Sequence, residues 1–215
     1  MATSNALTPV LDPQALATQL SGKLLLDGAL TPALSGKTFE VMNPATGRTI
    51  ARAALGEKPD VDAAVVSAAK AQSGWAKLTA RQRGKAVKEC GRVLNEHVEE
   101  LGRLVALETG KALRTESRVE AGIVSDAFTF YGGLGSELKG ESVPFNNEML
   151  TVTIREPIGV VGAIIPWNVP MMLMALKIAP ALVAGNAVVV KSAEEAPLAV
   201  LRTCQIMNQV LPPGV

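Results

Sequence analysis

Aromatic side chains make up only 3% of the 215 residues, so any core must be built from aliphatic packing and not from stacked rings. Cysteine is scarce as well. Cys90 and Cys204 lie far apart, neither has another cysteine or a histidine at ligand spacing, and His97 is the single histidine. This excludes a disulfide framework and a C-x-x-C metal site, and it fits a reduced, intracellular setting. No excess of one charge exists either: 21 Lys plus Arg balance 20 Asp plus Glu. Without a basic stripe to release counterions from phosphates, nucleic acid is not an expected partner. The first twenty residues have no basic patch followed by an apolar run, and the first arginine is Arg48. The expectation is therefore no secretory or mitochondrial leader, and a cytoplasmic location.

Long hydrophobic runs are also missing. From Pro157 to Val190 the only charge is Lys177, but Pro166-Trp167-Asn168-Val169-Pro170 and Ala184-Gly185-Asn186 interrupt the stretch. The remaining run, Met171 to Ala184, falls short of the ~20 apolar residues that cross a bilayer, so no membrane span is expected. A glycine-rich G-x-G-x-x-G turn is absent too, and the ordinary dinucleotide fingerprint with it. What is present is a chain 48% hydrophobic and 19% charged, the composition of a soluble protein with an aliphatic core.

Along the chain the character changes. Residues 1–22 read as a poorly ordered arm. From residue 23, short strands are predicted at Leu24–Leu26, Thr38–Met42 and Arg48–Ala53. Asn43-Pro44-Ala45-Thr46-Gly47 joins the last two, proline presetting one turn angle and glycine tolerating positive φ. Helical periodicity then takes over: Pro59-Asp60 opens one helix, and Val87, Cys90, Leu94, Val98, Leu101 and Val105 form the stripe of a second. Gly110 stops that helix, and a third is predicted from Thr115 to Tyr131. Beyond residue 147, Met149–Ile154 alternates as a strand. Ile158–Ile165, almost wholly apolar, reads as a parallel strand buried on both faces. A helix over Met171–Val183, a strand over Ala187–Val190 ending in Lys191, and a helix over Pro197–Val210 complete a βαβ unit.

Ligands of an open parallel sheet bind beyond the carboxyl ends of its strands. That rule selects Pro166-Trp167-Asn168 after the first strand and Lys191-Ser192-Ala193-Glu194 after the second. A simpler reading remains open for each: Asn168 as the N-cap of the next helix, and Lys191–Glu195 as a solvated turn.

At these residues the sequence resembles the aldehyde dehydrogenase superfamily. Glu156-Pro157-Ile158-Gly159-Val160-Val161-Gly162-Ala163-Ile164-Ile165-Pro166-Trp167-Asn168 is similar to that family's first cofactor-domain strand and turn. The similarity continues through Lys177-Ile178-Ala179-Pro180-Ala181-Leu182, Gly185-Asn186 and Val189-Val190-Lys191-Ser192-Ala193-Glu194. Upstream, Asn43-Pro44-Ala45-Thr46-Gly47 and Glu108-Thr109-Gly110-Lys111 fit the same pattern. The resemblance implies residues 23–146 packing on the cofactor domain, an oligomerisation strand over 147–157, and the first half of an NAD-binding α/β domain over 158–215.

It also implies roles. Asn168 matches the side-chain amide that stabilises the oxyanion formed when a cysteine thiolate attacks the aldehyde, a contribution worth roughly 3–4 kcal/mol of barrier. Lys177 matches a proton-relay lysine, although a snorkelling lysine on an apolar helix explains it equally well. Ile164, Ile165, Pro166 and Trp167 match cofactor contacts, and Val169 and Leu173 match the substrate tunnel. Lys191, Ser192, Ala193 and Glu194 match the turn that holds the adenosine ribose. A carboxylate at Glu194 favours NAD, since a 2′-phosphate about 4 Å away would be repelled by roughly 4 kcal/mol at an effective dielectric near 20; Lys191 keeps NADP open. By the same resemblance the nucleophilic cysteine and general-base glutamate lie beyond residue 215, and a sodium site at Glu108 is conceivable, but nothing else in the sequence supports one and no metal is expected. Helical spacing makes Cys90 and Cys204 buried helix residues. The expectation is an aldehyde-oxidising homo-oligomer to which this chain contributes an N-terminal part, inactive alone. The alternative is a truncated, non-catalytic nucleotide-binding or interaction module.

Overall fold

The computed structural model describes residues 12–215. Residues 1–11 of the expected arm lie outside that range, but its remainder is not an arm. Asp12 caps a helix α1 (Pro13–Leu20), its carboxylate accepting from Gln14 N, and Leu16, Ala17 and Leu20 are buried. A helix this short is unstable alone. Docking supplies the stability, with Gln14 Nε2 donating to Ile50 O at 2.7 Å.

Two antiparallel hairpins follow: β1 (Leu24–Leu26) with β2 (Ala29–Thr31), and β3 (Thr38–Asn43) with β4 (Arg48–Ala54). The predicted turn at 43–47 joins the second pair, and Asn43 Oδ1 accepts from Ala45 N at 2.9 Å. A helical layer comes next, α2 (Lys58–Lys77), α3 (Ala80–Glu96), α4 (Val98–Thr109) and α5 (Arg118–Gly133), the last preceded by a π-turn over Leu113–Ser117. The second predicted helix is thus two helices. They break at His97 (φ −108°, ψ 9°), but the apolar stripe keeps its phase across the one-residue interruption, so periodicity cannot detect it. Gly110 ends α4 in the left-handed region at φ +74°. A Cβ there would sit 2.8 Å from Pro44 Cγ, so the NPATG and ETGK segments meet at this glycine. Helices α3 and α5 approach so closely that a Cβ on Gly132 would lie 2.5 Å from Lys88 N.

A separate hairpin, β5 (Ser142–Asn146) with β6 (Met149–Val152), stands out from the body, and nearly all of its residues are exposed. Its first strand, interrupted by Pro144, has too little alternation to be predicted. The βαβ unit is β7 (Val160–Ile164), α6 (Pro170–Val183), β8 (Ala187–Lys191) and α7 (Leu198–Met207), with β7 and β8 parallel from Val160↔Ala187 to Ile164↔Lys191. The expectation that the first strand is buried on both faces is corrected. Ala163 and Ile165 enter the core, but Gly162 is exposed and Ile164 is 74% exposed. One face packs on α6, while the other opens onto a groove of about 970 Å³ between the β1–β2 hairpin, α2 and α7. No helix among the described residues is long and apolar enough to cross a membrane.

Candidate functional site

The helical layer holds α6 at both ends. At its C-terminus three side chains bond the last carbonyls: Trp75 Nε1 donates to Leu182 O and Arg83 Nε to Val183 O, each at 2.9 Å, and Gln72 Nε2 to Gly185 O at 3.2 Å. At its N-terminus the N-cap, Val169, has no side-chain hydrogen bond to offer. The acceptor comes instead from α5. Glu120 Oε1 takes Met171 N at 2.9 Å and Met172 N at 3.4 Å, while its other oxygen pairs with Lys111 Nζ at 2.6 Å. Helix α7 is treated the same way: Glu108 Oε2 and Oε1 accept from Leu198 N at 2.7 Å and Ala199 N at 2.9 Å. Glu120 is 3% exposed and Glu108 2%.

These two carboxylates explain a sequence absence. A helix N-terminus is a ready anion site because its first N–H groups are free. Here both are already filled by buried acids, so neither can receive a pyrophosphate, and a glycine-rich cradle before α6 would serve nothing. Burial pushes the Glu108 carboxyl up to about 8; its two N–H bonds oppose the rise and the nearby Glu120 charge adds to it.

The strand ends meet as the parallel register requires. Ile165 N donates to Lys191 O at 2.9 Å, which sets the Pro166–Asn168 turn beside the Lys191–Glu194 turn. The start of the pair is fixed by Asn186, whose Oδ1 accepts from Gly159 N at 2.9 Å and whose Nδ2 donates to Ala181 O at 3.1 Å. Of the residues selected from the sequence, Ile164, Pro166, Trp167 and Asn168 are exposed at this edge. Ile165 is the exception. Its side chain is buried in the core and its N–H is taken, so it offers no side-chain contact at this edge. Among the described residues nothing hydrogen-bonds the Asn168 amide, so the capping alternative for Asn168 gives way to Glu120.

Lys191 Nζ and Glu194 Oε1 form an ion pair at 2.6 Å with both side chains more than half exposed. The ammonium holds the Glu194 carboxyl below its usual value, so it is an anion at neutral pH. An ammonium donor beside a carboxylate acceptor suits the vicinal hydroxyls of a ribose, and the mouth of the apolar groove lies next to them, reaching Ile164, Lys191 and Glu194. The residues present therefore fit the adenosine end of a dinucleotide. Val169, Leu173 and Lys177 run away from the strand ends along α6. Leu173 and Lys177 share one face at the i,i+4 spacing, and Lys177 is exposed.

Both thiols are unsuited to nucleophilic work. Cys90 is fully buried; Cys204 is half-buried with its sulfur 3.7 Å from Met174 Sδ. Burial pushes each thiol up to about 12. Among the described residues no cluster of His, Cys, Asp or Glu could hold a metal ion.

Glu120 was not singled out from the sequence, and Glu108 only as a conceivable sodium ligand, not as a helix-capping acid. A signal was present, since each carboxylate occupies an apolar position: Glu108 follows Leu101 and Val105 on one face, and Glu120 precedes Val124 and Phe128.

Comparison with known proteins supplies the class. The chain matches the aldehyde dehydrogenase family over residues 31–215. Among solved structures it is 36% identical to a putative aldehyde dehydrogenase from Burkholderia cenocepacia, covering 91% of this chain and 40% of that one, with a TM-score of 0.88. It is 33% identical to a betaine aldehyde dehydrogenase from Staphylococcus aureus in complex with NAD+, over 94% of this chain and 41% of that one, with a TM-score of 0.88. An NAD+ complex of aldehyde dehydrogenase from Bacillus cereus shares 32% identity over 95% and 42%, with a TM-score of 0.90. The chain belongs to the aldehyde dehydrogenase family, and it spans about 40% of the length of these solved relatives.

Proposed function

We propose that the protein carrying this chain oxidises an aldehyde to a carboxylic acid with NAD, and that this chain supplies the oxyanion amide and the ribose clamp. The observation that carries the reading is the juxtaposition of an exposed Asn168 amide, unpartnered among the described residues, and the Lys191–Glu194 pair at adjacent parallel strand ends. NAD, when bound, accepts the hydride. The Glu194 carboxylate accepts from the ribose hydroxyls, with Lys191 orienting it. The Pro166–Asn168 turn would hold the cofactor's edge, and the Asn168 N–H donates to the oxyanion developing on the aldehyde carbonyl. Val169 and Leu173 line the aldehyde's approach, and Lys177 on the same helix face relays a proton. Binding of NAD by two of the solved relatives supports the cofactor assignment.

NAD is favoured over NADP because Glu194 is ionised, but its ion pair and exposure reduce the repulsion of a 2′-phosphate well below the unscreened figure. The thiolate comes from outside these residues, since burial of Cys90 and the apolar surroundings of half-buried Cys204 push both thiols up to about 12. The protruding β5–β6 hairpin supports a homo-oligomer: Phe145 is 72% exposed and Leu150 85%. We assign it as the oligomerisation element.

The test is cofactor reduction followed in the ultraviolet, with a panel of aliphatic, branched and aromatic aldehydes. The protein carrying this chain should reduce NAD with at least one class, and residues 1–215 alone should reduce none. Absence of reduction with every aldehyde refutes the activity. Turnover by residues 1–215, abolished in Cys90→Ala or Cys204→Ala, refutes the assignment of the nucleophile.

A further inference from the structure

We propose that Glu120 is a positioning residue for the Asn168 amide: it takes over the capping of α6 and thereby leaves Asn168 free to serve the oxyanion. The catalytic part of this inference rests on the function proposed above, while the capping part does not.

Asparagine is among the best capping residues, and Asn168 lies one residue before the N-cap Val169 and three before Met171, close enough in sequence for its side chain to turn onto the helix end. Met171 is fully buried and its N–H must find an acceptor. Left alone, the nearest acceptor along the chain is Asn168 Oδ1, and an amide folded onto the helix is lost to the reaction. The Glu120 carboxylate prevents this. It reaches across from α5 to hold Met171 N and Met172 N, and its second oxygen is fixed by Lys111 Nζ at 2.6 Å. A charged acceptor outcompetes a neutral amide oxygen for the same N–H. The result fits the observed state of Asn168, exposed and without a partner among the described residues. Glu108 does the same for α7, but no amide of the site precedes that helix. Only at α6 does the borrowed cap liberate a reactive group.

Two measurements test this. The first is hydrogen exchange at the Met171 amide in residues 1–215. Asn168→Ala should leave its protection unchanged, Glu120→Ala should retain part of it as Asn168 swings in, and the double variant should lose it. If Glu120→Ala alone removes all protection, Asn168 cannot substitute and the proposal is overturned. Glu120→Met, which keeps length and packing, carries the same comparison if the alanine variant does not fold.

The second is turnover in the protein carrying this chain. Glu120→Ala should lower kcat by on the order of tenfold to a hundredfold, as expected for a misplaced group, with KM for NAD unchanged. Glu120→Gln, which keeps an acceptor oxygen, should restore most of the rate. The double variant with Asn168→Ala should be no slower than Asn168→Ala alone. Losses that multiply would show Glu120 acting independently of Asn168 and would overturn the proposal. If the unaltered protein oxidises no aldehyde, the proposed function fails, and the exchange measurement still decides the capping.

Discussion

Replacing Glu108 with glutamine tests whether the helical layer grips the βαβ unit through a protonated or an ionised acid. The carboxyl is 2% exposed and accepts from both Leu198 N and Ala199 N. Glutamine keeps one acceptor oxygen and turns an NH2 toward the other N–H, leaving a buried donor unmatched at a cost of about 1–3 kcal/mol. That cost does not depend on pH. The wild-type contribution does, because burial raises the carboxyl from 4.5 in the ordinary state to about 8 in the folded one. Between these values the folded chain keeps a proton that the unfolded chain has released. The stability this acid contributes is therefore fully present below pH 4.5 and is lost as pH rises through 8, with a limiting slope of about 1.4 kcal/mol per pH unit. Urea unfolding of both proteins at pH 5, 6.5 and 8 isolates the effect, since every other titrating group is common to the pair. The wild type should lead at pH 5, and its lead should shrink by on the order of 3 kcal/mol by pH 8. A constant lead would refute the raised carboxyl. A lead that widens with pH would mean that the two N–H groups hold Glu108 as an anion.

Two further outcomes follow from the site and the surface. Glu194→Gln should narrow the NAD over NADP ratio of kcat/KM by about threefold, a small effect because the carboxylate is solvent-screened and paired to Lys191; an unchanged ratio would place Glu194 away from the ribose. Leu150→Lys on the exposed hairpin should weaken self-association by about tenfold in sedimentation, and an unaltered mass distribution would remove β5–β6 from the interface.

The legible parts of the fold were those written in local pattern. The 43–47 turn, the Gly110 stop and the two parallel strands stand where turn chemistry and aliphatic runs placed them. What stayed hidden depends on partners distant in sequence. Helix α1 needs β4 to be stable, and β5 gains its identity only by pairing with β6. The half-open face of β7 depends on which elements cover it. The same division runs through the site. Asn168 and Lys191–Glu194 could be named as candidates because strand ends are predictable positions, and the resemblance implied roles for them. Glu108 and Glu120 act across 90 and 51 residues of sequence, so no local rule points from Glu120 to Met171. Their only trace was an acid on an apolar helix face.

In the proposed reaction Asn168 donates to an oxyanion beyond the end of β7. Asn168→Ala in the protein carrying this chain tests it most directly, with the rate of hydride transfer and the affinity for NAD measured side by side. The rate should fall by about a hundredfold to a thousandfold, the loss expected for one oxyanion donor, while NAD binds as before. Hydride transfer within about twofold of the unaltered protein would contradict the claim, because a lost oxyanion donor costs far more than that.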